Sequence, residues 1–360
     1  MADVTPIDAA RPIDSARPKP AQHSDIDPAA MDDLQALDFA AAAAQRIRDE
    51  IARHVVGQDE VVQLLLTALF SDGHALAIGV PGLAKTLLIS TLARAVQLEF
   101  SRIQFTPDMM PSDVTGTEVL EEERATGHRH YRFVRGPVFT HILLADELNR
   151  TPPKTQAALL QAMQEREVTA GGKTLTLEDP FLVLATQNPI EQHGTYPLPE
   201  AQLDRFMLAI EVKYPSAEQE REIVRRTTSG QTATAEPVIR RAEVLRIQQL
   251  VRAVPVADHV IDYAVSLVRA SRPEDDRCPA SLKPLIALGA SPRASQWLIV
   301  GAKARAVLDG RGTVTLDDVR QLAVPTMAHR IVPSFRAEAE GMSASAIVKQ
   351  LVMRSSPTGR

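Results

Sequence analysis

Apolar residues along the chain follow two regimes that change near residue 214. Before that point, short and continuously apolar runs alternate with stretches of helical spacing. Residues 75–78, 101–105, 141–145, 181–185 and 207–212 are five such runs, most of them apolar at nearly every position. Strands covered on both faces of a parallel sheet have this composition. The pattern therefore predicts an α/β layer built on a five-stranded parallel sheet. Ahead of it, an Ala-rich stretch from Asp38 leads into Ile47, Ile51 and Val55 at helical spacing, predicting an amphipathic helix that ends near Gly57. A further helix after Arg150 is signalled by Thr151 as N-cap, Pro152 and Pro153 in the first turn, and Ala157, Leu160 and Met163 on its apolar face.

Beyond Pro215 the helix signals continue without strand runs. Ser216 with Gln219 forms a capping box, Ser291-Pro292 sets an N-cap with proline behind it, and Thr315 with Asp318 starts a third helix. A smaller, all-helical domain is expected there, with the polar segment 230–237 as a connection inside it. Residues 1 to about 30 are rich in Pro, Ala and Asp and carry no aromatic residue, so they are expected to form a mobile tail. The expected divisions are a tail over 1–37, an α/β core over 38–214, a helical domain over 215–342 and a C-terminal end over 343–360.

At 360 residues the chain has room for two or three folded units. Its 44% hydrophobic and 24% charged residues match ordinary globular proteins, which excludes a wholly disordered chain. A net charge of −5 and 4% aromatic residues argue against a basic or base-stacking nucleic-acid binder. Cys278 is the only cysteine and cannot form an internal disulfide, which suits a reducing compartment. No apolar run approaches the roughly 18 residues of a membrane span, and Asp3, Asp8, Arg11 and Asp14 interrupt any leader-like stretch. The expectation is a soluble, cytoplasmic protein.

Candidate chemistry begins at residues 79–86, Gly-Val-Pro-Gly-Leu-Ala-Lys-Thr, between a strand and a helix. Backbone N–H groups at such a turn cradle phosphates. Gly79, Val80, Pro81, Gly82, Leu83 and Ala84 would form the cradle, running on through Leu87, with Lys85 on the β- and γ-phosphates and Thr86 on Mg²⁺. Ala84 stands where this loop usually has glycine, and helical dihedrals in the first turn would accommodate it. Asp146 ends an apolar strand and would hold the same Mg²⁺, while Glu147 is placed as the base that polarises water. Asn188 follows the fourth strand and would position water or the γ-phosphate, unless Asn188-Pro189 merely forms a turn. Arg205, just before the fifth strand, is a candidate arginine finger, although exposed arginines are commonly only solvated. Arg293 lies in a helix's first turn, where the dipole disfavours a cation, so a facing phosphate would explain it. His128-Arg129-His130, with His141 and His193 elsewhere, lacks the spacing of a zinc site. Trp297 reads as packing.

Taken together, Val56-Gly-Gln58, residues 79–86, Asp146-Glu-Leu-Asn-Arg150, residues 185–189, 198–206 and 289–295 resemble an AAA+ ATPase of the MoxR family over roughly residues 40–342. The resemblance implies an AAA+ P-loop core with a helical lid, ATP as substrate with Mg²⁺, Val56 and Gly57 near adenine, Asn188 as sensor 1, Arg205 as a finger acting on a neighbouring subunit, and Arg293 as sensor 2. It also implies a ring, expected to be a homohexamer, that remodels or activates protein clients, some with a von Willebrand factor A domain. Residues 105–133 look like the family's helix-2 insert. Residues 167–177 read independently as a hairpin and resemble its pre-sensor-1 insertion. A magnesium-chelatase-like motor subunit, a nucleotide-gated scaffold and, last, a nucleic-acid motor are the competing readings.

Overall fold

The computed structural model describes residues 32–122, 129–170, 172–190, 194–228 and 234–355. Residues 1–31 of the tail expected over 1–37, residues 230–233 of the polar connection, His128, His193 and the last five residues lie outside these.

Helix α1 (Asp33–His54) begins five residues before the predicted start at Asp38. Asp32 accepts from the Gln35 N–H at 2.8 Å while the Gln35 side chain accepts from the Asp32 N–H, and Ala36 is already buried. This capping pair is polar and lies outside the apolar periodicity, so spacing alone misses it. Helix α2 (Asp59–Phe70) follows, buried over most of its length.

The central sheet joins β1 (Ala75–Ile78), β2 (Phe100–Gln104), β5 (Ile142–Asp146), β8 (Leu182–Gln187) and β9 (Leu208–Glu211) in the order β2-β5-β8-β1-β9. Every pairing is parallel, with Ala75 beside both Leu184 and Leu208. Alternate residues serve opposite faces. Ile142 and Leu144 join a core with α1, α2 and α3 (Lys85–Ala95), whereas Leu143 and Ala145 pack towards α5 (Pro153–Glu165). Within the expected insert, α4 (Pro111–Thr115) leads to an antiparallel hairpin of β3 (Gly116–Glu122) and β4 (Arg129–Arg135), whose Tyr131 and Leu120 are exposed. A second hairpin joins β6 (Glu167–Ala170) to β7 (Lys173–Thr176). The short α6 (Glu200–Leu203) precedes β9.

Past β9 come α7 (Ala217–Thr228), α8 (Arg241–Ala253), α9 (Asp258–Arg269), α10 (Pro292–Leu308), α11 (Leu316–Met327), α12 (Phe335–Ala339) and α13 (Ala344–Arg354). Two findings amend the sequence reading. The region is not all-helical: β10 (Ile286–Leu288) pairs antiparallel with β11 (Val332–Pro333), strands too short to leave an alternation signal. The end of the chain is also a packed helix, with Ile347, Val348 and Leu351 of α13 buried near α11. These helices do not form a detached lid, because one apolar cluster runs from Ile47 and Leu65 through Leu298 and Leu322.

The strongest polar link between core and lid is Arg330, whose side chain is almost wholly buried. Its Nε donates to Asp204 Oδ1 at 2.7 Å, Nη2 donates to the Asp204 and Phe206 carbonyls at 3.0 and 2.6 Å, and Nη1 donates to the carbonyls of Met207 and Thr326. Burial lowers its guanidinium to about 10, against the opposing pull of Asp204. Beside it His329 Nε2 bonds the Phe206 carbonyl at 3.1 Å, and across the sheet's amino end His74 accepts from the Val183 N–H at 3.1 Å. Burial, helped by Arg330 and Arg166 respectively, depresses both imidazoles to about 3.

Removing the guanidinium orphans Asp204 and several carbonyls, so Arg330→Met should cost about 3–5 kcal/mol, read as a lower midpoint in urea unfolding. The two histidines fold neutral but titrate near 6.5 when unfolded, so their stability is present above that pH and lost as it falls. At pH 5 each should cost about 2 kcal/mol, and urea midpoints of His74→Gln and His329→Gln against the parent over pH 7 to 5 should show a flatter decline.

Candidate active site

The P-loop leaves β1 at its carboxyl end and enters α3. Gly82 takes a φ of +85°, which only glycine adopts at little cost. Ala84 is not in the first helical turn as expected. It caps α3 in the left-handed region at φ 54°, ψ 22°. A side chain there costs about 1–2 kcal/mol, and the same turn aims successive N–H groups into one concavity. Lys85 Nζ donates to the Gly79 carbonyl at 2.9 Å, lying across the loop it would serve. Burial lowers its ammonium from the usual value, while Asp146 and Glu147 oppose that shift. Thr86, half-buried, sits in the next position of α3.

Two strands away, β5 ends in Asp146. Thr186 Oγ donates to Asp146 Oδ1 at 2.6 Å, and Arg102 Nη2 donates to Oδ2 at 2.7 Å. Glu147 is left-handed at φ 57°, ψ 46°, and its N–H donates to the same Thr186 hydroxyl at 2.8 Å. Its Oε2 accepts from Gln104 Nε2 at 2.7 Å and Arg150 Nε at 2.9 Å. Thr186, Arg102 and Gln104 escaped the sequence reading. A usable trace existed in the alternating Arg102 and Gln104 of β2, while Thr186 is wholly buried and looks like any strand residue. Asn188 follows β8, whose Gln187 carbonyl accepts from the Gly79 N–H at 3.2 Å, so it lies beside the loop's entry. Its Oδ1 accepts from the Ile190 N–H at 3.2 Å, which is the turn geometry weighed against a nucleotide role.

Val56 borders a cavity of about 150 Å³ with Val55, Leu83, Ala84, Leu87 and Ile223. Pro215, Arg226 and Thr227 close it from the side of α7. Gly57, at φ +72°, stands behind this wall with Gln219 of α7 so close that a Cβ would meet its Cδ at 2.3 Å. The cavity is lined in part by Gly82 and is mainly apolar, which suits a flat base beside the phosphate cradle.

Arg205 and Arg293 are elsewhere. Both line a cavity of about 230 Å³ with His74, Arg166 and Trp297, at the amino ends of β1 and β9. The strands run about 13 Å from that edge to the P-loop edge. Within its own subunit Arg293 therefore lies at the edge opposite the P-loop, and its Nη1 approaches Asp204 Oδ2 at 3.9 Å, which offsets the helix dipole. Asp204 also accepts from the Ser291 hydroxyl at 2.9 Å on both oxygens, tying the start of α10 to the residue before Arg205. The Arg205 side chain has no hydrogen-bond or ion-pair partner among the described residues. Trp297 packs partly against the core, yet its buried indole N–H finds no acceptor among the described residues.

The comparisons agree with this arrangement. Residues 74–208 match the model of the ATPase family associated with various cellular activities (AAA), and residues 280–351 match an AAA lid domain. The chain is 43% identical over 304 residues to the chaperone MoxR1 of Mycobacterium tuberculosis, covering 84% of this chain and 79% of that one. It is 32% identical over 306 residues to the protein MoxR of Methylorubrum extorquens, covering 80% and 87%. A crystal structure of a protein from Cytophaga hutchinsonii superposes with a TM-score of 0.83 at 40% identity, over 89% of this chain and 96% of that one. With the P-loop, the Asp146-Glu147 strand end and the lid in one order, this chain belongs to the MoxR family of AAA ATPases.

Proposed function

We propose that the protein is a ring-forming ATPase whose catalytic sites are shared between subunits, and that its turnover remodels or activates client proteins. The observation carrying this reading is the separation of the charges: Lys85, Asp146 and Glu147 lie at the carboxyl edge of the sheet, Arg205 and Arg293 at the amino edge. An identical subunit placed edge to edge would bring its two arginines to the phosphates of the first. The chaperone role rests on what the relative MoxR1 is called; six copies per ring and clients with a von Willebrand factor A domain extend that likeness.

In this mechanism the N–H groups of residues 82–86 and Lys85 hold the β- and γ-phosphates. Thr86 and Asp146 both offer hard oxygen donors at the carboxyl edge of the sheet, and Asp146 is oriented by Thr186. That donor set fits Mg²⁺, which when bound neutralises charge on the phosphate oxygens. Arg102 is 44% exposed at its side chain, so it can leave Asp146 Oδ2 free. Glu147, steadied by Gln104 and Arg150, accepts a proton from the attacking water. Asn188 orients that water or the terminal phosphate. The neighbour's Arg205 stabilises the charge that spreads over the transferred group, and its Arg293 holds the same phosphates.

Glu147→Gln should bind ATP as the parent does and lose about 10²–10⁴ in turnover, while parent specific activity rises with protein concentration. Activity independent of concentration would contradict a shared site. Arg205→Ala should lose about 10³ or more in turnover with ATP binding intact. Mixing it with Glu147→Gln should restore part of the rate, since each interface at which an Arg205→Ala subunit receives the arginine of a Glu147→Gln neighbour has both a working Glu147 and a working Arg205. Silence on mixing, or full turnover of Arg205→Ala alone, would remove the trans assignment.

A further inference from the structure

The last turn of α1 holds a buried polar cluster that the mechanism does not use. His54 ends the helix with a side chain only 9% exposed, and its Nε2 lies 3.1 Å from Glu50 Oε1. The same Oε1 accepts from the Glu236 N–H at 2.8 Å, and Oε2 accepts from Arg53 Nη1 at 2.8 Å. Burial raises the Glu50 carboxyl, but these hydrogen bonds and the charge of Arg53 outweigh it and hold the group below its ordinary value. An ionised carboxylate can only accept, so Nε2 carries a proton, and in the neutral ring Nδ1 is the acceptor. Among the described residues Nδ1 has no hydrogen-bond partner.

His54 also lines the cavity beside the P-loop, together with Val56, Leu83 and Leu87. The other polar side chains there discriminate poorly. Arg226 donates to the Ala52 and Arg53 carbonyls, the Thr227 hydroxyl donates to its own helix at Ile223, and the amide of Gln58 offers a donor and an acceptor alike. We infer that His54 reads position 6 of a purine in this cavity, accepting from an exocyclic amino group and opposing a 6-oxo group, and so selects adenine nucleotides. An acceptor facing an acceptor leaves both unpaired in a desolvated slot, which is how polar sites reject near-isosteres. Glu50 acts as a positioning residue, since it fixes the tautomer and also grips the Glu236 N–H.

The inference rests on the cavity being the base pocket, and the test separates the two. Binding of ADP and IDP, which differ at position 6, is measured by titration calorimetry on the full chain, avoiding turnover. The parent should bind ADP about tenfold more tightly than IDP. His54→Phe keeps the ring and loses the acceptor, so ADP should weaken and the ratio fall to within about twofold. His54→Asn restores an acceptor near the Nδ1 position and should recover part of the preference. Equal ADP and IDP affinities in the parent, or an unchanged ratio in a folded His54→Phe, would overturn the assignment. A parent preference for IDP would do the same, by showing a doubly protonated ring. Loss of binding to both diphosphates in the parent would instead overturn the nucleotide pocket itself, and His54's role with it.

Discussion

All five strands of the central sheet point the same way, and the placement of every chemical group follows from that polarity. Loops at the carboxyl edge collect the phosphate cradle, Asp146, Glu147 and Asn188, because these residues each follow or end a parallel strand. The segment before β9 sits at the opposite edge, and Arg205 goes with it. A parallel sheet of this length cannot bend its two edges together, so Arg205 stays at the edge opposite Lys85, Asp146 and Glu147. That separation is a property of topology before it is a property of any side chain.

Asp204 shows how that topology is made rigid. One carboxylate accepts from Arg330 and from Ser291, and has Arg293 nearby, so it joins the end of α11, the start of α10 and the residue preceding Arg205. Desolvating a guanidinium is costly, and the cost is offset by the number and quality of the acceptors around Arg330 rather than by the ion pair alone. Core and lid thereby share both an apolar cluster and a polar lock. Movement between them at this edge is restricted to what the Asp204 cluster permits.

The architecture was legible in the sequence wherever burial imposed a long pattern. Runs such as 141–145 and 181–185 locate β5 and β8 to within a residue or two, because strands covered on both faces tolerate few polar positions. Features set by two or three residues were not legible. The cap at Asp32 and the β10–β11 pair have no extended periodicity to announce them, whereas α13 does carry a helical spacing in Ile347, Val348 and Leu351 behind its Ser343 cap. Of the site, the P-loop and the Asp146-Glu147 pair stand out as motifs, but their supports do not. Thr186 contacts both carboxylate-bearing residues through one hydroxyl, and that relation arises only when β5 and β8 lie side by side. Arg293 has a local partner that its motif does not announce: its position near a helix dipole calls for an anion, and within the subunit Asp204 supplies one.

Helix α7 buries none of its twelve residues, yet Ile223 and Thr227 form one wall of the base-sized cavity and Arg226 hangs from the carbonyls at the end of α1. Twelve residues lie near the lower limit at which an isolated helix persists in water. An occupant of the cavity would therefore supply the apolar face that the helix lacks, and part of its contact energy would appear as helical order instead of affinity. Measured affinity would then understate the contacts made. The remainder would be held as work available to the segment that follows, so that cofactor exchange and local helix–coil equilibrium become two descriptions of one linked transition.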